Sequence, residues 1–392
     1  MKKLLLPILL LLVLAPLAVT AQNPAVYEAE GTYYHVLSEV SAEHAMRVAK
    51  NLDALFEVYN SYFRFDVKPA KLKVRILADK QRYDEYLHRF VPRSRDDFTY
   101  LHYTDPARCE LVGYYAGNES NFRLALNHQA FIQFLRAFIP NPPLWIREGF
   151  AVYFENAVFD EATGKVSYQE NLAWLDTLKA LAERDKIMPI QDIMRIDADG
   201  VRDNLEVFYP QAWGIVSFLT NTKDPNYSRL LWDSITALQP SATLKENEMN
   251  VYDRVFKWYN DRSLTQDFTN YIHSRKSFRS LVQDGIKLYS SNNFEEAEKH
   301  FREAITLDDK NFVPYYYLGL IYYARKEYAA ADKEYNKALE KGAQPALIYY
   351  ALGINALADS RPEIALDYLK KAGEADPAYQ QRADNLARRI RR

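Results

Sequence analysis

A 34-residue repeat governs the C-terminal part of this 392-residue chain. Shifting the sequence against itself by that period brings Gly285, Gly319 and Gly353 into register, together with Ala297, Ala331 and Ala365, and with Ala304, Ala338 and Ala372. A bulky position repeats at the same interval as Phe301, Tyr335 and Leu369. Small residues at these offsets let two antiparallel helices approach closely, and the bulky position fills the space between them. Three units in phase predict stacked helix pairs over residues 278–377. Asp376-Pro377 acts as a helix stop, and a polar capping helix follows over 378–392.

Period and register resemble the tetratricopeptide (TPR) repeat. The resemblance implies an all-α superhelix whose concave face comes from the first helix of each pair. Tyr289, Tyr316, Tyr323 and Tyr350 are then expected in the groove, as anchors for a protein or peptide partner. Tyrosine suits that role because it offers a large contact area with few rotatable bonds. Tyr315, Tyr322 and Tyr349 fall on core offsets.

Upstream, the pattern differs. YYHVLSE and KLKVRILA read as strands, with a long amphipathic helix between them that opens at Ser41. A helix from Lys80 to about Phe90 precedes two further strand candidates, FTYLHY and CELVGYYA. From Phe122 onward the pattern is helical, interrupted by the hairpin-like FDEATGKVSY. Strands first and helices afterwards predict an α+β domain over 22–277.

Within that domain, HQAFI on an apolar helical run is followed by a Pro break and then by LWIREGFAVYFE. The run predicts an amphipathic helix with Leu124, Phe131, Leu135 and Phe138 near one face. The arrangement resembles the gluzincin "peptidase MA-like" group, in which HExxH supplies two zinc ligands and a Glu on the next helix supplies the third. YPQAWGIVSFL resembles a helix found further along that group. Carried over position by position, His128 is the first ligand and Glu148, twenty residues later, is the third. The general-base position holds Gln129 and the second-ligand position holds Ile132. Gln cannot take up a proton at neutral pH, and Ile has no lone pair. Two protein ligands remain where catalytic zinc uses three. Gln133 cannot replace Ile132, because five residues along a helix turn it about 140° from His128. Catalysis and a bound metal are therefore not expected, and His128 and Glu148 are expected as partly buried polar residues bonded to each other or to backbone. The alternative, an atypical zinc metallopeptidase, needs a remote third ligand such as His35, His44, His88 or His102.

The N-terminus has the form of a secretory signal peptide over residues 1–21: Lys2 and Lys3, an apolar run, and small residues before Gln22. After its removal no apolar stretch is long enough to span a bilayer, so an exported protein of the periplasm or cell envelope is expected. Loss of Lys2 and Lys3 leaves 48 basic against 52 acidic residues, a balance that offers nothing to nucleic acid. Cys109 is the only cysteine, so no intrachain disulfide forms. Thirty tyrosines and five tryptophans admit a further alternative, a binder of cell-wall glycan or peptidoglycan.

Overall fold

A computed structural model describes residues 25–66, 70–91, 98–168, 170 and 172–390. The expected signal peptide lies outside the described residues. Five strands form one sheet: β1 (Tyr27–Glu30), β2 (Tyr34–Ser38), β3 (Leu72–Leu77), β4 (Phe98–Leu101) and β5 (Glu110–Tyr114), in the order β1-β2-β3-β5-β4. The three central strands are parallel, with Val36 opposite Val74 and Val74 opposite Leu111. Both edge strands are antiparallel.

Parallel neighbours need helical crossovers, and α1 (Ala42–Phe63) supplies the one between β2 and β3. Its N-cap is Ser41, whose hydroxyl accepts from the His44 amide at 3.0 Å. Alternation along the strands divides the sheet between two cores. Val36, Val74, Ile76 and Leu111 join the main core. Leu77, Leu101 and Val112 pack with Tyr83 and Leu87 of α2 (Lys80–Leu87) in a smaller one.

Two helices carry the residues of interest, α3 (Glu119–Phe138) and α4 (Leu144–Phe154), separated by the Pro140–Pro143 break. α3 departs from the expected one-sided amphipathic helix. It starts at Glu119, capped by Asn118, and every residue from Phe131 to Leu135 is buried. Leu124 is only partly buried. The polar Gln133 tolerates this burial because its Nε2 donates to the Lys73 carbonyl at 2.9 Å.

Beyond the β6 (Val158–Asp160) and β7 (Lys165–Ser167) hairpin come α5 (Ala173–Glu183), α6 (Ile190–Met194), α7 (Ala198–Asp203) and α8 (Leu205–Asn221). Then follow α9 (Pro225–Thr236), α10 (Leu244–Val251), a π-helical turn at Tyr252–Phe256 and α11 (Asp261–Ser274). α4 lies against α8 so closely that a β-carbon at Gly149 would be 2.5 Å from the Ala212 carbonyl oxygen. The glycine of the Trp-x-x-Glu-Gly element thus answers to helix packing.

The rest of the chain is a run of consecutive helices with TPR architecture. The pairs are α12 (Phe278–Ser290) with α13 (Phe294–Leu307), α14 (Phe312–Ala324) with α15 (Tyr328–Glu340), and α16 (Pro345–Ala358) with α17 (Pro362–Ala375), followed by α18 (Pro377–Ile390). Each repeat glycine faces its bulky partner: Gly285 the ring of Phe301, Gly319 the ring of Tyr335, and Gly353 the side chain of Leu369. The six in-phase alanines are fully buried.

Two periodic features went unseen in the sequence. Asn292, Lys326 and Ser360, at the turn within each pair, all adopt left-handed backbone, with φ of 61°, 64° and 58°. Acidic residues one period apart link successive pairs. Glu298 accepts from Arg325 Nη1 and from the Tyr322 hydroxyl, each at 2.6 Å, and Asp332 accepts from Arg361 Nη2 at 2.8 Å and Asn355 Nδ2 at 2.7 Å. The array joins the first unit through Ser277, the N-cap of α12, whose hydroxyl donates to Asp176 at 2.6 Å. Arg275 pairs with Glu170 beside that contact.

Candidate functional site

On α3, His128, Ile132 and Arg136 follow one another at intervals of four residues, so they form a single stripe. With Gln129 they line a cavity of about 490 Å³, closed on the other side by Arg147 and Glu148 of α4 and bordered by Tyr100 of the edge strand β4. The structure therefore brings His128, Gln129, Ile132 and Glu148 together. They meet in an arrangement unlike a metal site.

Glu148 is buried and engages two cations. Its Oε2 lies 3.4 Å from His128 Nε2, and its Oε1 accepts from Arg147 Nε at 2.7 Å. The other imidazole nitrogen, Nδ1, is 3.6 Å from Oε2 of Glu155, the C-cap of α4. Glu155 is seven residues beyond Glu148, which puts both carboxylates on one side of that helix.

Burial alone would push the His128 pKa down. The two carboxylates outweigh it through hydrogen bonding and charge and raise it to about 9. Burial likewise raises Glu148, but His128 and Arg147 overcome it and hold the carboxyl down to about 2. At neutral pH the centre is an ion pair with an imidazolium, both of whose nitrogens carry protons.

These residues do not fit zinc. Catalytic zinc takes three protein ligands, and among the described residues His128 and Glu148 belong to no group of three donors near enough to share a metal. The second-ligand position is the buried hydrocarbon of Ile132. Among the described residues the only cluster of three donors near enough to share a metal is Glu28, Glu30 and His35, on β1 and β2. Among the described residues no other histidine lines this cavity. His44 is buried beside Ser38, its Nδ1 3.1 Å from that hydroxyl, and His88 is exposed at the end of α2. His102 comes nearest, with Nδ1 accepting from Arg136 Nη2 at 2.7 Å. Burial and the Arg136 charge push its pKa down to about 4.

Tyr289, Tyr316, Tyr323 and Tyr350 all lie on first helices of the repeat pairs, and all are half-buried. Each makes a ring contact: Tyr289 with Tyr317 at 5.5 Å, Tyr316 with Tyr335 at 6.0 Å, Tyr323 with Tyr328 at 6.3 Å and Tyr350 with Tyr379 at 5.6 Å between centroids. They are thus held by packing and keep part of each ring available. Of the tyrosines at core offsets, Tyr315 and Tyr322 are buried, whereas Tyr349 is half-buried and stacks on Tyr368.

Sequence reasoning missed two residues lining the cleft, Arg136 and Arg147, and Glu155 beside the His128 ring. The usable signals were spacing alone, eight residues from His128 to Arg136 and seven from Glu148 to Glu155.

No family model matches the chain. Among solved structures, it is similar to the first TPR of Spaghetti (RPAP3), at 22% identity over 29% of this chain and 89% of that one, with a TM-score of 0.27. The translocator chaperone SycD of Yersinia enterocolitica type III secretion is 19% identical over 32% and 92% of the two chains, with a TM-score of 0.28. MamA of Desulfovibrio magneticus RS-1 is 19% identical over 43% and 87%, with a TM-score of 0.27. Among the described residues, no helix is long and apolar enough to cross a membrane.

Proposed function

We propose that this chain is an exported, non-catalytic relative of the gluzincin peptidases that binds a protein or peptide partner in the cell envelope through the groove of its repeats. The observation that supports the non-catalytic part is the hydrocarbon of Ile132 one turn from His128 on the cavity stripe, where a second ligand would have to stand. Water activation would need a carboxylate at position 129, and the residue there is Gln129. The former peptidase unit then serves as a rigid base onto which Ser277 and Arg275 fasten the array.

The half-buried tyrosines on the first helices support the binding part. Rings already fixed by neighbours lose little further freedom on binding, which favours them as anchors. The test is affinity capture from an envelope extract with the full chain, comparing wild type with Tyr316→Ala/Tyr350→Ala. A partner whose retention falls at least about tenfold in the double variant, while the helical content is unchanged, supports the reading. Equal retention by both proteins removes the groove from the account.

A further inference from the structure

Arg136 has no carboxylate partner among the described residues. Its Nε donates to the Pro140 carbonyl at 2.9 Å and its Nη2 to the neutral His102 at 2.7 Å. Both partners are uncharged, so a half-buried guanidinium is left without a counter-ion. An uncompensated charge away from water is costly unless something pairs with it. Burial and then the Arg147 charge lower the Arg136 pKa, and the charges of Tyr100, Cys109 and Glu148 offset this only in part. Arg147 is itself committed only through Nε, to Glu148, and its two terminal nitrogens have no partner among the described residues. With the His128 imidazolium included, three cations (Arg136, Arg147 and His128) face two carboxylates (Glu148 and Glu155), an excess of one.

Arg136 also stands where three hollows meet. It lines the cavity of about 490 Å³ beside His128, a second of about 700 Å³ reaching Lys73, Tyr103 and Cys109, and a third of about 460 Å³ reaching Leu144 and Leu205. Arg147 is shared by the first and third. Volumes of this size suit drug-sized or peptide-sized ligands. The cavity beside His128 is also lined by the apolar side chains of Phe98, Ala125 and Ile132.

We propose that the cavity beside His128 binds the free C-terminal carboxylate of a peptide, with Arg136 and Arg147 as the carboxylate receptors and the last side chain against Phe98, Ala125 and Ile132. Planar guanidinium groups match a carboxylate through paired N–H donors. A carboxylate brings one negative charge, equal to the local excess, whereas a phosphate dianion brings more than the site balances. The site is distinct from the repeat groove, and its occupancy does not depend on the groove binding anything.

The test uses the full chain with ¹⁵N-labelled arginine and follows the Nε–Hε signals. The probes are four: a mixture of N-acetylated tetrapeptides of neutral residues as free acids, the same mixture as C-terminal amides, amides that include Asp and Glu, and inorganic phosphate. The expected result is saturable shifts of the Arg136 and Arg147 signals with the free acids, at least about tenfold tighter than with any other probe. Arg136→Gln is expected to abolish that preference. Because Arg136 also holds the Pro140 carbonyl, Arg147→Gln serves as an independent variant with the same expectation. The inference is overturned if no probe shifts either signal at millimolar concentration, if amides or phosphate bind as tightly as free acids, or if both variants retain the preference.

Discussion

Gly319 lies flat against the ring of Tyr335, so close that a β-carbon at position 319 would be 2.4 Å from ring carbon Cε1. A ring held in a closed core cannot retreat by the required distance, because protein interiors are packed to crystal-like density. Gly319→Ala is therefore expected to destabilise the array by about 1–3 kcal/mol, despite the better helix propensity of alanine. At Gly353 the nearest atoms, Cγ and Cδ2 of Leu369, would be 3.0 and 3.1 Å away, and Gly353→Ala should cost clearly less. Urea unfolding of the two variants checks the order.

The turns within the pairs give a prediction of opposite sign. Lys326 adopts φ of 64°, a region that disfavours any residue with a β-carbon. Lys326→Gly is expected to stabilise the chain by about 0.5–1 kcal/mol, measured by the same unfolding. Lys326→Val should destabilise it, since a β-branched residue resists the left-handed region most.

The ion pair of the cleft makes a pH-dependent contribution. The His128 pKa is raised from 6.5 to about 9 on folding, so its contribution is fully present below 6.5 and is lost as pH rises through about 9. Glu148 is lowered from 4.5 to about 2, so its contribution is present above 4.5 and is lost as pH falls through about 2. The stability difference between wild type and His128→Asn should stay level from 4.5 to 6.5 and shrink towards pH 9 and above. Thermal unfolding across that range measures it, and a difference that grows with alkalinity would contradict the assignment of charge.

Ile132 stands one turn from His128 on the stripe that faces the cavity. Ile132→His combined with Gln129→Glu is therefore expected to supply a second ligand and a base, and to bind zinc at least about tenfold more tightly than wild type. Zinc titration calorimetry of both proteins checks this. Failure of the double variant to bind, with the fold intact, would mean that α3 and α4 no longer hold a ligand geometry.

Much of this was legible in the sequence, for identifiable reasons. The repeats declare themselves because close helix approach restricts Gly285, Gly319, Gly353 and their alanine companions to small residues, and a steric restriction leaves a periodic mark. The strands β2, β3 and β5 show through their apolar character, and the absence of a ligand or a base at Ile132 and Gln129 is a matter of residue type alone. The left-handed turns escaped notice because Asn292, Lys326 and Ser360 have nothing in common as side chains. Arg136, Arg147 and Glu155 were hidden for another reason. Each resembles an ordinary solvated charge until the packing of α3 on α4 turns it towards the cavity or the His128 ring. The strand β1 was missed as well, since it is an edge whose residues, apart from Ala29, are exposed.

The central claim is that His128 and Glu148 are bonded to each other and hold no metal. Elemental analysis of the full chain, equilibrated with zinc and then dialysed without chelator, tests it most directly. The account predicts zinc far below one per chain, with no difference between wild type and His128→Ala. One tightly held zinc per chain, lost in His128→Ala, would contradict it.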